Sequence, residues 1–384
     1  MSKIAKEKEK KEEKSNVTSQ SILGSFLIAN KKFHYNFEDS KDYKVSSGSL
    51  LFDVQLDGGF GPGLHRFVGM NEGGKTSEAL EVQKNFCLMP KAKGIYIKAE
   101  GRLSQNMIDR SGGLFVWTQE EWKEGTIFVL ETNIYETAVE IMRELVKNNP
   151  EGNIYCFVLD SVDGLISKGD LDKGFEDSNK VAGGAVIAAN FMKRIAIALA
   201  KRGHMAIFTS QQRADIKIDP YTKVPIRQTT ATGGNALLHF ANWIIEFEPR
   251  FNGDLILKDL NNKKYDSEKN PYIGHYAKVV IKKSPNETTN NRISYPICYG
   301  RKGGKSIWFE KELTDLLYSW EFLTKNGAWV SASEDFLEMM SEAGFEWPKS
   351  LQGNPAIFRH IDENPNQAQF LKNYFRGVII GEAS

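Results

Sequence analysis

Gly69-Met70-Asn71-Glu72-Gly73-Gly74-Lys75-Thr76 is the stretch from which the rest of the chain can be read. It fits G-x-x-x-x-G-K-[ST], follows the strand-like run His65–Gly69, and opens a helical stretch over Ser77–Leu88, the context in which the pattern has physical meaning. Glycines let the backbone wrap closely around phosphates, and the start of a helix adds partial positive charge. Lys75 would supply a point charge to the β- and γ-phosphates, and Thr76 a hydroxyl to Mg²⁺. Gly69, Met70, Asn71, Glu72, Gly73, Gly74, Lys75, Thr76 and Ser77 are therefore expected to hold ATP, with Mg²⁺ as its counterion.

On either side of this loop, strand-like apolar runs alternate with helical stretches. The strands are expected at Gly94–Ala99, Ile154–Asp160, Met205–Ser210, Trp243–Phe247 and Ala277–Lys282, and the helices at Tyr135–Lys147 and Gly184–Lys201. Such alternation implies an α/β fold with a mainly parallel central sheet. Two of the strands end in carboxylates. Asp160 closes Ile154-Tyr155-Cys156-Phe157-Val158-Leu159, where a buried parallel strand would deliver it to the Mg²⁺ shell; an ordinary turn aspartate is the plainer alternative. Glu100 follows Gly94–Ala99, at the strand end where ligands bind in doubly wound sheets, and could activate water for attack on the γ-phosphate.

Beyond about Glu310 the pattern turns amphipathic and helical, broken by Gly327, Gly344, Pro348, Gly353 and Pro365, so residues 311–384 read as a mostly helical C-terminal domain. At the other end, residues 1–18 read as a charged flexible tail. Its first fourteen positions carry six lysines and four glutamates, a solvated face or a basic arm. Residues 19–45, with Ile22, Leu23, Phe26 and Leu27, read as a small helical segment suited to oligomerisation, leaving 46–310 as the core.

Composition excludes little: 384 residues, 41% hydrophobic, 26% charged, net charge +1. Cys87, Cys156 and Cys298 lack metal spacing and read as buried free thiols; Trp243, Trp308, Trp329 and Trp347 sit in apolar runs and read as core. No apolar stretch reaches the ~18 residues of a membrane span. The reading is a cytoplasmic protein with no membrane partner.

Taken together these motifs resemble the RecA-family recombinases, over roughly Val45 to Val378. Ser46–Asp53, the phosphate loop, Ala99-Glu100, Asp160-Ser161-Val162, Phe208-Thr209-Ser210-Gln211-Gln212-Arg213, Thr232-Gly233-Gly234-Asn235-Ala236-Leu237 and Asn326-Gly327-Ala328-Trp329 follow in the family's order. The resemblance implies a RecA-like P-loop ATPase core that polymerises on single-stranded DNA, pairs it with double-stranded DNA, and binds ATP between subunits of a helical homo-oligomer. Single-strand-binding and mediator proteins are the partners it implies. Glu100, Lys75 and Gln211 would be catalytic, Gln211 sensing the γ-phosphate; Thr76 and Asp160 would hold the metal. DNA loops are implied near 169–184 and 212–233, the second carrying Arg213, Ile216, Lys217, Arg227, Thr232, Gly233, Gly234 and Asn235. Cations on a long segment neutralise phosphates without reading sequence. From a neighbouring subunit, Lys282 or Lys283 would complete the ATP site, because Ile281 stands at one of the family's lysine positions. Met107 stands where the family stacks an aromatic on adenine, and Ser104 where it has Asp. The divergent N-terminus, the compact length and the lack of an acidic C-terminal tail are most similar to the phage-encoded, UvsX-like branch.

Overall fold

The computed structural model describes residues 22–101, 103–171, 183–214, 229–231, 234–259, 262 and 264–380. The chain opens with a helix α1 over 22–29, then α2 (Leu50–Gln55), β1 (Gly63–Gly69), α3 (Lys75–Phe86), β2 (Ala92–Lys98), α4 (Gln105–Ser111), β3 (Leu114–Val116), β4 (Thr126–Glu131), α5 (Tyr135–Lys147) and β5 (Ile154–Asp160). It continues through α6 (Lys168–Leu171), α7 (Gly183–Lys201), β6 (Met205–Ala214), β7 (Thr229–Ala231), α8 (Gly234–Phe240), β8 (Trp243–Phe247), β9 (Leu255–Leu257), β10 (Tyr272–Lys283) and β11 (Arg292–Cys298).

These strands form one sheet in the order β11-β10-β8-β1-β6-β5-β2-β4-β3, with β7 paired to β6 and β9 to β10. From β3 across to β8 every neighbouring pair is parallel, and β10 and β11 close one edge antiparallel. The expected α/β class with a mainly parallel sheet is what the chain adopts. The reason is visible in β1 and β5, which are buried along their whole length. A strand covered on both faces is apolar at nearly every position, and the polar exceptions on β1, His65 and Arg66, are buried with hydrogen-bond partners. On β5, Cys156 and Val158 join one core with Phe67, Leu80 and Phe86, while Tyr155, Phe157 and Leu159 join the other with Met142, Phe191 and Phe208.

Parallel register brings the strand ends to a common edge. Gly69 pairs with Gln211, Leu159 with Phe208, and Lys98 with Asp160. The candidate nucleotide residues of the parallel strands therefore lie at or just beyond the carboxyl edge, where open α/β sheets bind ligands, whereas Lys283 of antiparallel β10 stands opposite Ile244 toward the other edge.

After the sheet come α9 (Phe309–Ser319), β12 (Leu323–Asn326), β13 (Trp329–Ala332), α10 (Glu334–Glu342), β14 (Ser350–Gln352), α11 (Gly353–Glu363) and α12 (Pro365–Ile380). Helices dominate, as expected, but the three short strands form a separate sheet that helical periodicity did not announce. Trp243, Trp308 and Trp347 are buried, whereas Trp329 is 52% exposed. The reading of Trp329 as core is thus corrected: it alternates with buried Val330 along β13 and takes the solvent side. In α1 the apolar residues Ile22, Leu23, Phe26 and Ile28 are exposed. The three cysteines are free, Cys87 and Cys156 buried and Cys298 half-buried.

The C-terminal helices are joined to the core by one buried carboxylate. Glu312 of α9 accepts hydrogen bonds from Ser49 Oγ (2.5 Å), Leu50 N (3.0 Å) and Leu51 N (3.1 Å), satisfying the open first turn of α2. Leu50 itself packs in the C-terminal core with Leu313, Leu317 and Phe375. Glu312→Ala would leave those donors buried and unpaired, and is expected to destabilise the chain by about 2–3 kcal/mol. Urea unfolding followed by tryptophan fluorescence measures this, and Glu312→Gln, which keeps one acceptor, should lose less.

Candidate functional site

The phosphate loop leaves β1 at Gly69, whose φ of 150° and position demand glycine: a Cβ there would lie 2.3 Å from the carbonyl oxygen of Phe247 on β8. Glu72 adopts φ 62°, a left-handed conformation that costs a side-chain-bearing residue of order 1–3 kcal/mol. Met70, Asn71, Glu72 and Ser77 are exposed and Gly73 and Gly74 half-buried. Lys75 opens α3 and turns inward. Buried, its ammonium donates to the carbonyls of Gly69 (3.0 Å) and Met70 (2.7 Å), so its charge sits within the concave loop. Two more glycines and the first N–H groups of a twelve-residue helix complete an anion cradle.

Thr76 Oγ1 donates to Asp160 Oδ2 at 2.8 Å. Asp160 is also held by the Tyr96 hydroxyl on Oδ2 (2.7 Å) and by Thr209 Oγ1 on Oδ1 (2.6 Å). Burial, reinforced by the adjacent Asp160 charge, pushes the Tyr96 phenol well above its usual range, so it stays a donor at neutral pH. A hydroxyl and a fixed carboxylate beside a phosphate cradle make an all-oxygen set, the kind Mg²⁺ takes while keeping most of its waters. Among the described residues no group of three or more His, Cys, Asp or Glu side chains could hold a metal. The oxygens of Thr76 and Asp160 fit a hard cation whose other ligands are phosphate oxygens and water. Tyr96 and Thr209 were not singled out from the sequence. Their signal is a polar residue inside a buried run, Ile95-Tyr96-Ile97 and Ile207-Phe208-Thr209, and a buried polar group needs a partner.

Ser161 Oγ, one residue beyond Asp160, hydrogen-bonds Glu100 Oε1, and Ala99 N and Glu100 N both donate to the Asp160 carbonyl. The Asp160–Ser161 peptide is cis. Glu100 is half-buried just past the end of β2. Gln211, half-buried on β6 beside Gly69, has its backbone N–H donated to Asp163 Oδ2 at 2.7 Å. The structure therefore draws Lys75, Thr76, Asp160, Glu100 and Gln211 to one edge of the sheet through a connected set of contacts.

The remaining candidates are placed as follows. Met107 is half-buried in α4, and Ser104 caps that helix, accepting from Met107 N at 3.3 Å. Of the two lysines left open by the sequence, Lys282 is half-exposed and pairs with Glu246 at 2.7 Å, while Ile281 is fully buried. Lys283 donates to the Leu238 and His239 carbonyls (2.9 and 2.8 Å) at the end of α8, and burial holds its ammonium below the usual lysine range. In the segment expected to carry DNA-binding residues, β6 continues through Gln212 and Arg213 to Ala214 and pairs antiparallel with Thr229–Ala231, so residues 212–214 and 229–231 are strand and not loop. Gly234 and Asn235 begin α8. Ile216, Lys217, Arg227, Thr232 and Gly233 lie outside the described residues, as do 172–182 of the first segment.

No helix among the described residues is long and apolar enough to cross a membrane. Residues 36–263, more than half of the chain, match the model of the RecA N-terminal domain. Curated relatives are similar along most of their length. Protein RecA of Mycoplasma mycoides is 26% identical over 376 residues, 97% of this chain and 93% of the relative. Protein RecA of Laribacter hongkongensis is 26% identical, with 83% and 80% covered, and that of Bifidobacterium breve 27%, with 85% and 74% covered.

Proposed function

Since the chain belongs to the RecA family, we propose that it is a DNA-dependent ATPase that polymerises on single-stranded DNA and catalyses homologous pairing and strand exchange. The observation that carries this reading is the continuity of β6. The strand that sets Gln211 beside Gly69 of the phosphate loop runs on into the hairpin whose far side returns at β7 and α8. Arg213 lies on β6 itself, and Lys217, Lys223 and Arg227 follow it in the sequence before β7.

In the proposed mechanism the loop glycines and Lys75 bind the phosphates, and Thr76 and Asp160 hold Mg²⁺, with Tyr96 and Thr209 fixing the carboxylate. When bound, the metal neutralises charge on the β- and γ-phosphates. Glu100, steered by Ser161, takes a proton from the attacking water. The Gln211 side chain contacts the γ-phosphate and ties nucleotide state to the hairpin, so hydrolysis loosens the DNA. Lys282 or Lys283 reaches the nucleotide from a neighbouring copy, and the exposed apolar face of α1 supports a homo-oligomer. Either would have to leave a partner to do so, Lys283 the α8 carbonyls and Lys282 the Glu246 carboxylate. Placement near the phage-encoded, UvsX-like branch belongs to the same proposal and rests on the divergent N-terminal segment.

Electron microscopy with single-stranded DNA, Mg²⁺ and a non-hydrolysable ATP analogue tests this. Helical filaments are expected; closed rings would instead favour a replicative helicase on the same core, and DNA binding with no assembly an accessory protein. Gln211→Ala is expected to weaken the ATP dependence of DNA binding by roughly tenfold, a coupling of ordinary size, measured by fluorescence anisotropy with and without nucleotide.

A further inference from the structure

We propose that Asp163 is a positioning residue that fastens Gln211, the proposed phosphate sensor, to the short segment bearing Asp160 and Ser161. The proposal rests on the reading of that site given above and assigns it a further part.

The segment from Asp160 to Asp163 touches each element of the site in turn. Asp160 accepts from the Thr76 hydroxyl of the phosphate loop's helix, Ser161 donates its hydroxyl to Glu100, and Asp163 accepts from the backbone N–H of Gln211. The last contact fills a gap in the sheet. β5 pairs with β6 only as far as Leu159 opposite Phe208, and the chain then turns away into a 3-10 turn, Val162–Gly164. β6 continues for six more residues. Beyond Leu159 β5 gives Gln211 no ladder partner, and among the described residues its N–H goes to Asp163 Oδ2 at 2.7 Å, where a ladder carbonyl would have been. A backbone carbonyl would be fixed by its strand. A side-chain acceptor on the metal-side segment instead moves with that segment.

The surroundings hold the carboxylate in place. Arg66 on β1 is fully buried and donates from Nε to Ser210 Oγ, the side chain just before Gln211, at 3.2 Å. Burial draws its guanidinium down to about 10, and the Asp163 charge is the largest influence opposing this. Asp163 therefore holds the Gln211 amide while its charge also favours the buried Arg66 cation. Its second oxygen and the hydroxyl of buried Tyr135, which also faces Arg66 electrostatically, have no hydrogen-bond partner among the described residues. Tyr96 and Thr209 steady Asp160 alone; Asp163 is the described side chain that links this segment to the Gln211 backbone.

The test is hydrogen exchange at the Gln211 amide, with and without Mg²⁺ and a slowly hydrolysed ATP analogue, alongside steady-state ATPase kinetics. In the wild type, nucleotide should slow exchange at Gln211 by about tenfold or more. Asp163→Ala should abolish that nucleotide-linked protection and lower kcat by about tenfold with KM for ATP within roughly threefold, the pattern of lost transition-state positioning. Asp163→Asn, which keeps an acceptor, should recover most of both, a rescue that a purely structural role would not produce. Should Asp163→Ala fail to fold with Arg66 left buried, the Arg66→Met/Asp163→Ala double variant carries the same measurement. Wild-type protection at Gln211 that responds to nucleotide equally well without the Asp163 carboxylate overturns the proposal, as does a wild type whose Gln211 amide ignores nucleotide. A wild type that shows the protection but hydrolyses no ATP would refute the ATPase reading and leave the Asp163 tie standing.

Discussion

Glu100→Gln is expected to lower ATP turnover by about 10²- to 10⁴-fold while leaving ATP affinity within a few-fold. The range is what a positioned general base supplies. The substitution separates basicity from geometry. Glutamine still presents an oxygen to the Ser161 hydroxyl that holds Glu100, and the backbone of Ala99 and Glu100 stays anchored on the Asp160 carbonyl. The water-activating charge is lost and little else. If Glu100 is the base, the variant should remain bound to single-stranded DNA in ATP, because the step that weakens the hold is blocked. Single-turnover hydrolysis and equilibrium binding of a fluorescent nucleotide separate these effects. Wild-type turnover in Glu100→Gln would move the base elsewhere.

Lys75→Ala should act earlier, on binding itself. Hydrogen bonds to charged groups are worth ~1.5–3 kcal/mol each. An ammonium that gives up two phosphate contacts therefore forfeits about 10²- to 10⁴-fold in triphosphate affinity. The loop also loses its internal struts, since the same ammonium bridges the Gly69 and Met70 carbonyls. Lys75→Arg should not rescue it: a planar guanidinium cannot occupy the compact, buried position that a point-charge ammonium fills. Isothermal titration with Mg²⁺ and ATP, with a melting curve to show that the fold persists, measures the loss. Affinity within threefold of wild type in Lys75→Ala would remove the loop from the nucleotide site.

The parts of this molecule that were legible from the chain are those where one local pattern has one physical meaning. A glycine-rich turn between an apolar strand and a helix start could be little other than β1 and α3, and the seven residues ending in Asp160 could be little other than a strand buried on both faces. What stayed hidden depends on neighbours remote in sequence. Arg66 stands in an apolar run and gives no hint that it is wholly enclosed, because the Asp163 that balances it lies nearly a hundred positions away. Tyr96 and Thr209 look like ordinary strand residues until the fold aims both at Asp160. Lys283 reads as a cation that reaches a neighbouring subunit's nucleotide, yet within its own chain it donates to the carbonyls at the close of α8. The small C-terminal sheet is built from strands of three and four residues, too short for alternation to stand out, and Trp329 was misread for that reason.

The measurement that bears most directly on the account is the affinity of the wild-type chain for single-stranded DNA in two nucleotide states, Mg²⁺ with a slowly hydrolysed ATP analogue against Mg²⁺ with ADP, at one salt concentration. The account predicts binding tighter by about tenfold or more with the triphosphate, a coupling of at least ~1.4 kcal/mol. Equal affinity in the two states would contradict it, since the β6 strand would then carry nothing from the phosphate loop to the hairpin.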